Sequence, residues 1–303
     1  MIQRPPILYK GSTIGIIATA RKVTPKEIQP ALDRIIAEGF TYVLGNHLYD
    51  SEHQFSGTDE QRTLDLQMML DNPKINAIWC ARGGYGTTRI LDKIHWKKFR
   101  RNPKWIIGYS DITVLLAEAN RNNAQSIHGP MAVSLLNPGQ EENLSLLFQI
   151  LKGRQRIHYT IEQQHTRNRL GSCKGHLIGG NLSLLVHSIG TKSEPDFRNA
   201  ILFIEDIDEY LYHIDRMMWQ LKRSEKLKSL SGMIIGSFTD MKDNPVKFGH
   251  NAAEIIASTV AEYQFPVLFN FPAGHETANV PLIMGGSYTL NILENSASLT
   301  EFF

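Results

Sequence analysis

Cysteine is scarce in this sequence: Cys80 and Cys173 are the only two in 303 residues. Two cysteines make no disulfide framework, and nothing around them has the paired spacing of a zinc site. An excess of one charge is also missing. The 32 Lys and Arg are balanced by 30 Asp and Glu, which gives no reason to expect nucleic acid or an anionic membrane as a partner. No apolar run approaches the roughly 18 residues that a membrane-crossing helix needs. The opening stretch MIQRPPILYKGSTIGIIATA reads as the approach to a first strand and not as a signal peptide. The eleven histidines form no His-x-x-x-His or comparable pair with carboxylates, so neither a metal site nor a cofactor is expected. Internal repeats and low-complexity segments are absent as well. The expectation is a soluble, cytoplasmic globular protein, 42% hydrophobic and 20% charged, long enough for about two domains.

The first half alternates β-rich runs with helical patterns. TIGIIATA reads as a strand and leads into TPKEIQPALDRIIAEGF. There Thr24 stands as N-cap, Pro25 at the first helical position and Glu27 three after the cap. Ile28, Leu32, Ile35 and Ile36 follow at helical spacing, and Gly39 closes the pattern. YVLGNHL reads as a weaker strand and TDEQRTLDLQMML as a helix. INAIWCA precedes the helix-like GTTRILDKI, and WIIGYS precedes DITVLLAEAN. Near-continuous apolar strands separated by helices predict an α/β parallel sheet covered on both faces.

The polar and basic stretch 156–172 breaks this rhythm and is expected to link a domain over 1–155 to a second over 173–303. In the second half CKGHLIGG, AILFIEDI, LSGMIIGSF and FPVLFNFPAG read as strands. YHIDRMMWQLKRSE carries Ile214, Met217, Met218 and Leu221 on one helical face, and GGSYTLNILENSASLTEFF reads as paired closing strands.

Open α/β folds bind ligands beyond the carboxyl ends of their strands. Three polar residues fall at such positions: Ser110 after WIIGY, Glu205 after AILFI, and His275 after FPVLFNFPAG. A serine, a carboxylate and a histidine are the parts of a nucleophilic triad. Each also has an ordinary reading. A serine before a helix is commonly an N-cap, a strand-end carboxylate a solvated loop charge, and Gly-His a turn. In ARGGYGTTRIL, Gly83, Gly84 and Gly86 free backbone N–H groups to face an anion, or simply make a tight turn. The N–H of Asp111 is a further candidate oxyanion donor. Cys80 lies inside an apolar run and is expected to pack as a small hydrophobe. Of the alternative bases, His187 is expected in a core and His128 near a site.

These residues sit in motifs that resemble the L,D-carboxypeptidases of serine peptidase family S66, which includes murein tetrapeptide carboxypeptidases and microcin-immunity peptidases. The resemblance runs nearly end to end through GSTIGIIATA, FSGTDEQR, ARGGYG, IIGYSDIT, HGPMA, GHLIGGNLSLL, LFIEDIDEYLYHIDRMMWQL and PAGHETANVPLIMG. It implies a Ser-Glu-His triad falling on Ser110, Glu205 and His275, with Glu209 as the runner-up carboxylate. It implies a flavodoxin-like N-terminal domain, a smaller C-terminal β/α domain, and a site in the cleft between them. Oxyanion donors would be the N–H groups of Asp111, Gly83 and Gly84. The implied substrate is a small muropeptide that loses its terminal D-alanine, and the implied assembly is a homodimer. One departure is ANVPLIMGG after His275, where relatives place a proline nearer the glycine.

Overall fold

A computed structural model describes residues 2–154, 156–162 and 165–302, arranged as two compact units. The first contains Met1–Arg156 and Thr277–Gly285, the second Ile157–Glu276 and Gly286–Phe303.

In the first unit the apolar runs become parallel strands β1 (Thr13–Ile17), β2 (Thr41–Leu44), β3 (Ile75–Cys80), β4 (Trp105–Gly108) and β5 (Ser126–His128). Their order in the sheet is β2-β1-β3-β4-β5, the flavodoxin-like order of a doubly wound sheet. The central strands are the buried ones. β4 is buried throughout, whereas the edge strand β2 is largely exposed, which explains its weaker apolar signature. Helix α1 (Pro25–Ala37) starts on the Thr24–Glu27 capping box and buries Ile28, Ala31, Leu32 and Ile35. Helix α2 (Asp59–Asp71) starts on a second box made by Thr58 and Gln61. The GTTRILDKI pattern yields only a four-residue helix, α3 (Thr88–Leu91), followed by the short α4 (Lys97–Arg101). Helix α5 (Thr113–Arg121) follows β4, and α6 (Glu141–Leu151) closes this part of the chain.

The second unit opens with β6 (His158–Ile161), then β7 (Gly171–Asn181), α7 (Leu182–Ser188), β8 (Ala200–Ile207), α8 (Leu211–Arg223), β9 (Gly232–Thr239), α9 (Ala252–Thr259) and β10 (Val267–Leu268). Strand β11 (Leu282–Met284) pairs antiparallel with β5, as a sixth strand of the first sheet. Strands β12 (Ser287–Ile292) and β13 (Ala297–Phe302) form the predicted closing hairpin. The second sheet runs β10-β9-β8-β7-β12-β13-β6, parallel from β10 to β7 and antiparallel beyond. Leu202, Ile204, Ile214, Met218, Met233 and Ile256 pack in its core.

Two boundaries depart from the sequence reading. The stretch 156–172 is not a linker, because β6 pairs with β13 and most of the stretch lies in the second unit. An edge strand that alternates exposed and half-buried positions looks polar in sequence. The boundary set at 155, and residues 163 and 164, lie outside the described residues. The C-terminal domain is also not continuous over 173–303, since Thr277–Gly285 belongs to the first unit. Three buried residues, Leu282, Ile283 and Met284, are too short a run to announce a strand of another sheet.

β8 lies at the centre of the second sheet, and β7 approaches it closely. Gly179 has φ +125°, and a Cβ there would lie 1.8 Å from the carbonyl oxygen of Phe203. Gly179→Ala is therefore expected to destabilise the second unit by about 3–5 kcal/mol. Urea unfolding followed by circular dichroism will show this as a lowered midpoint; an unchanged midpoint contradicts it.

Candidate active site

Ser110 occupies the seam between β4 and α5, and its backbone is in the left-handed region at φ +61°. A non-glycine residue there costs on the order of 1–3 kcal/mol and persists only where the surroundings enforce it. The capping reading of Ser110 does not hold. The residue opens a single 3₁₀ turn, Ser110–Ile112, and α5 begins behind it at Thr113 with no side-chain cap. A strained serine on a sharp strand-to-helix turn is the geometry of a nucleophile elbow.

The glycine turn after β3 lies against this serine. A Cβ on Gly83 would stand 3.1 Å from Ser110 Cβ and 3.3 Å from its Oγ. Gly84 and Gly86 take φ +110° and +139°, conformations that favour glycine. The turn is braced from behind. Asp111, buried, accepts a hydrogen bond of 2.9 Å from the Thr87 N–H. The Thr87 hydroxyl is 2.8 Å from that of Thr19. Arg62, also buried, donates from Nη1 to the carbonyls of Thr19 (2.6 Å) and Gly86 (3.0 Å) and pairs with Asp59 through Nη2. Arg82 ties the turn to α1 through Glu27 at 3.1 Å. Ser110, Asp111, Gly83 and Gly84 thus share one small region of the first unit.

In the second unit His275 Nδ1 is 2.6 Å from Glu205 Oε2. Glu205 is fully buried, and the His275 ring is 13% exposed. The runner-up carboxylate Glu209 pairs instead with His213, at 2.8 Å. The β8–β9 register shifts between Ile204 and Asp206, so that Gly236 and Ser237 of β9 both stand opposite Glu205, a bulge on the neighbouring strand. Gly274 has φ +129°, and a Cβ on it would lie 2.3 Å from Ser237 Oγ and 3.0 Å from Glu205 Cβ. Only glycine lets the His275 segment come this close. FPVLFNFPAG contributes just two strand residues, so His275 is carried by irregular chain beyond β10.

Burial pulls the His275 pKa down, but the Glu205 carboxylate outweighs it, and the net position is above the ordinary histidine value of about 6.5. Between that value and the raised one, the folded chain holds more protons than the unfolded chain. The stability this pair contributes is therefore complete below that window and lost as pH rises through it. Glu205 Oε1 and Ser237 Oγ are buried with no hydrogen-bond partner among the described residues.

Asp206, the next residue, was missed by the strand-end argument, although two consecutive acids within AILFIEDI were a signal. It faces the opposite side of β8 and accepts from Asn181 Nδ2 (2.8 Å) and from the N–H groups of Ser183 (3.0 Å) and Ile207 (2.9 Å). Burial and then the neighbouring Glu205 charge push its pKa up to about 7. Arg62 and Thr87, which set the glycine turn, carry no sequence signature of that role.

The remaining candidates fall elsewhere. Burial pushes the Cys80 thiol up to about 12, away from nucleophilic duty. His187, expected in a core, is exposed near the end of α7, because helical spacing alone did not show which face was covered. His128 is fully buried in β5 with its ring against Tyr109. No group of three or more His, Cys, Asp or Glu among the described residues is placed to hold a metal ion. No described helix is long and apolar enough to cross a membrane.

Both units match known protein families. Residues 14–129 match the LD-carboxypeptidase N-terminal domain, and residues 174–290 the LD-carboxypeptidase C-terminal domain. The chain is 33% identical to a probable murein peptide carboxypeptidase of Bacillus subtilis, covering 97% of this chain and 93% of the relative. It is also 33% identical to the murein tetrapeptide carboxypeptidase of Pseudomonas aeruginosa, covering 88% and 89%. The crystal structure of muramoyltetrapeptide carboxypeptidase from Oxalobacter formigenes superposes with a TM-score of 0.85 at 26% identity, covering 96% of this chain and 99% of that one. The microcin C7 self-immunity protein MccF in its wild-type apo state shares the fold, with a TM-score of 0.87 at 24% identity over 99% and 98% of the chains. With a flavodoxin-ordered sheet carrying an elbow serine and full-length likeness to murein peptidases, the chain belongs to the peptidase S66 family of LD-carboxypeptidases.

Proposed function

We propose that the protein is a serine-type L,D-carboxypeptidase that removes the terminal D-alanine from cytoplasmic murein tetrapeptide during cell-wall recycling. The observation that carries the serine mechanism is the left-handed backbone of Ser110 with Gly83 packed against its side chain. A packed surface serine or an N-cap has no need of that conformation.

Ser110 Oγ attacks the carbonyl carbon between an L-configured centre and the terminal D-residue. His275 Nε2 takes the hydroxyl proton, while Glu205 holds Nδ1–H and stabilises the imidazolium. The oxyanion is received by backbone N–H groups of Asp111 and of the Gly83–Gly84 turn. As the C–N bond breaks, His275 returns the proton to the leaving amine. Water then hydrolyses the acyl-enzyme by the same proton path, releasing the shortened peptide and free serine. The substrate follows the 33% identity to the Pseudomonas aeruginosa murein tetrapeptide enzyme. The 24% identity to the microcin immunity protein supports the fold alone. The family resemblance also supports a homodimer, for which light scattering at twice the mass of one chain is the expected result.

Two measurements test the mechanism. Release of D-alanine from L-Ala-γ-D-Glu-meso-diaminopimelate-D-Ala is expected to fall by about 10⁴-fold or more in Ser110→Ala, with the circular dichroism spectrum unchanged; full activity in that variant sinks the assignment. The second uses pH. His275 must be neutral to act as a base, and its pKa is raised by Glu205, so kcat/KM should decline as pH falls through a value above about 6.5. Glu205→Gln should lower kcat by about 10²–10⁴ and move that acid limb to lower pH. An acid limb that stays in place rules out Glu205 as the partner of the base.

A further inference from the structure

A carboxypeptidase has to recognise that its substrate ends. The distinguishing group is a free carboxylate one residue beyond the scissile bond, at most about 3.6 Å of extended chain away. Three arginines, Arg21, Arg62 and Arg82, surround the glycine turn beside Ser110. Arg62 is buried behind it, bound to carbonyls and Asp59. Arg82 is paired with Glu27. Arg21 differs: its guanidinium is exposed and has no hydrogen-bond or ion-pair partner among the described residues.

Arg21 is nevertheless held in place. Its own N–H reaches the Gly83 carbonyl at 3.4 Å, and its neighbours are sewn to the adjoining loop by Ser56 N–H to the Ala20 carbonyl (3.1 Å) and Lys22 N–H to the Gln54 carbonyl (3.0 Å). Its side chain lies across Gly84. A Cβ on that glycine would meet Arg21 Cδ at 2.5 Å and Nε at 2.8 Å. Gly83 touches the nucleophile and Gly84, the next α-carbon about 3.8 Å on, touches the arginine. One residue of turn therefore separates Ser110 from an unpaired fork of N–H donors on an anchored backbone, and one residue of substrate separates the scissile carbonyl from the terminal carboxylate.

We propose that Arg21 binds the free terminal carboxylate of the peptide and so selects chains with an unblocked C-terminal D-residue. This assignment rests on the hydrolase reading for its location beside Ser110. Guanidinium pairs with carboxylate through two parallel hydrogen bonds, and the pair is charge-assisted.

Binding separates this assignment from catalysis. In a Ser110→Ala background, calorimetry compares L-Ala-γ-D-Glu-meso-diaminopimelate-D-Ala with its C-terminal amide. The acid should bind about 10- to 100-fold tighter than the amide. Adding Arg21→Ala should bring the acid down to the amide's affinity while the amide changes by less than about twofold, and Arg21→Lys should restore part of the preference. The unchanged amide binding shows that the fold is intact. A preference for acid that survives Arg21→Ala, or no preference in the parent, overturns the role of Arg21. Failure of the native protein to release D-alanine, alongside an Arg21-dependent preference, overturns the hydrolase reading alone.

Discussion

The constraint on which the first unit turns is the left-handed backbone of Ser110. A serine has no intrinsic reason to sit at φ +61°, so the surroundings must over-determine it at a cost of on the order of 1–3 kcal/mol. Two of its neighbours are visible. β4 is buried throughout, so the strand end cannot drift. The adjacent Asp111 is buried and bound to the Thr87 N–H, which locks the start of the 3₁₀ turn to the far end of the glycine loop. Because the same loop packs Gly83 against the serine side chain, the contacts that fix the 3₁₀ turn also fix the glycine loop beside it.

The second unit meets a different difficulty, which is burying a carboxyl group beside a histidine. Glu205 is fully buried, and its Oε2 is 2.6 Å from His275. Isolated burial of such a charge is expensive, and a partner that becomes cationic offsets it. Asp206 beside it receives three hydrogen bonds yet still has a pKa raised to about 7, as expected when two carboxyl groups share one strand end. It therefore does not carry a full negative charge at neutral pH. Its other task is mechanical, since through Asn181 and Ser183 it fixes the start of α7 to β8.

Much of this was legible in the sequence, and the reasons are local. The Thr24–Glu27 capping box and the apolar stripe of α1 follow from spacing alone. The buried parallel strands announce themselves as unbroken apolar runs, and the polar residues beyond them mark Ser110, Glu205 and His275. What stayed hidden depends on contacts between distant segments. Three residues of β11 give no hint that they pair with β5, and the alternation in β6 is too short and too polar to outweigh its basic surroundings. Arg62 looks like any helical surface arginine until its partners, the carbonyls of Thr19 and Gly86, are in place. Ser110 itself was ambiguous, because an N-cap and an elbow nucleophile share one sequence pattern and differ in the sign of φ.

The charged groups near Ser110 and near His275 differ in kind. Acyl transfer develops negative charge on the carbonyl oxygen and positive charge on the base at the same moment. Around the glycine turn of the first unit stand Arg21, Arg62, which is paired with Asp59, and Arg82, which is paired with Glu27. The histidine of the second unit is backed by Glu205 and, at one remove, Asp206. Oriented dipoles and fixed charges of this kind need no rearrangement when the charge appears, which is where their advantage over water lies. Within the first unit Gly83 and Gly84 let the turn lie against Ser110 and Arg21, and within the second Gly274 lets the His275 segment approach Glu205 and Ser237.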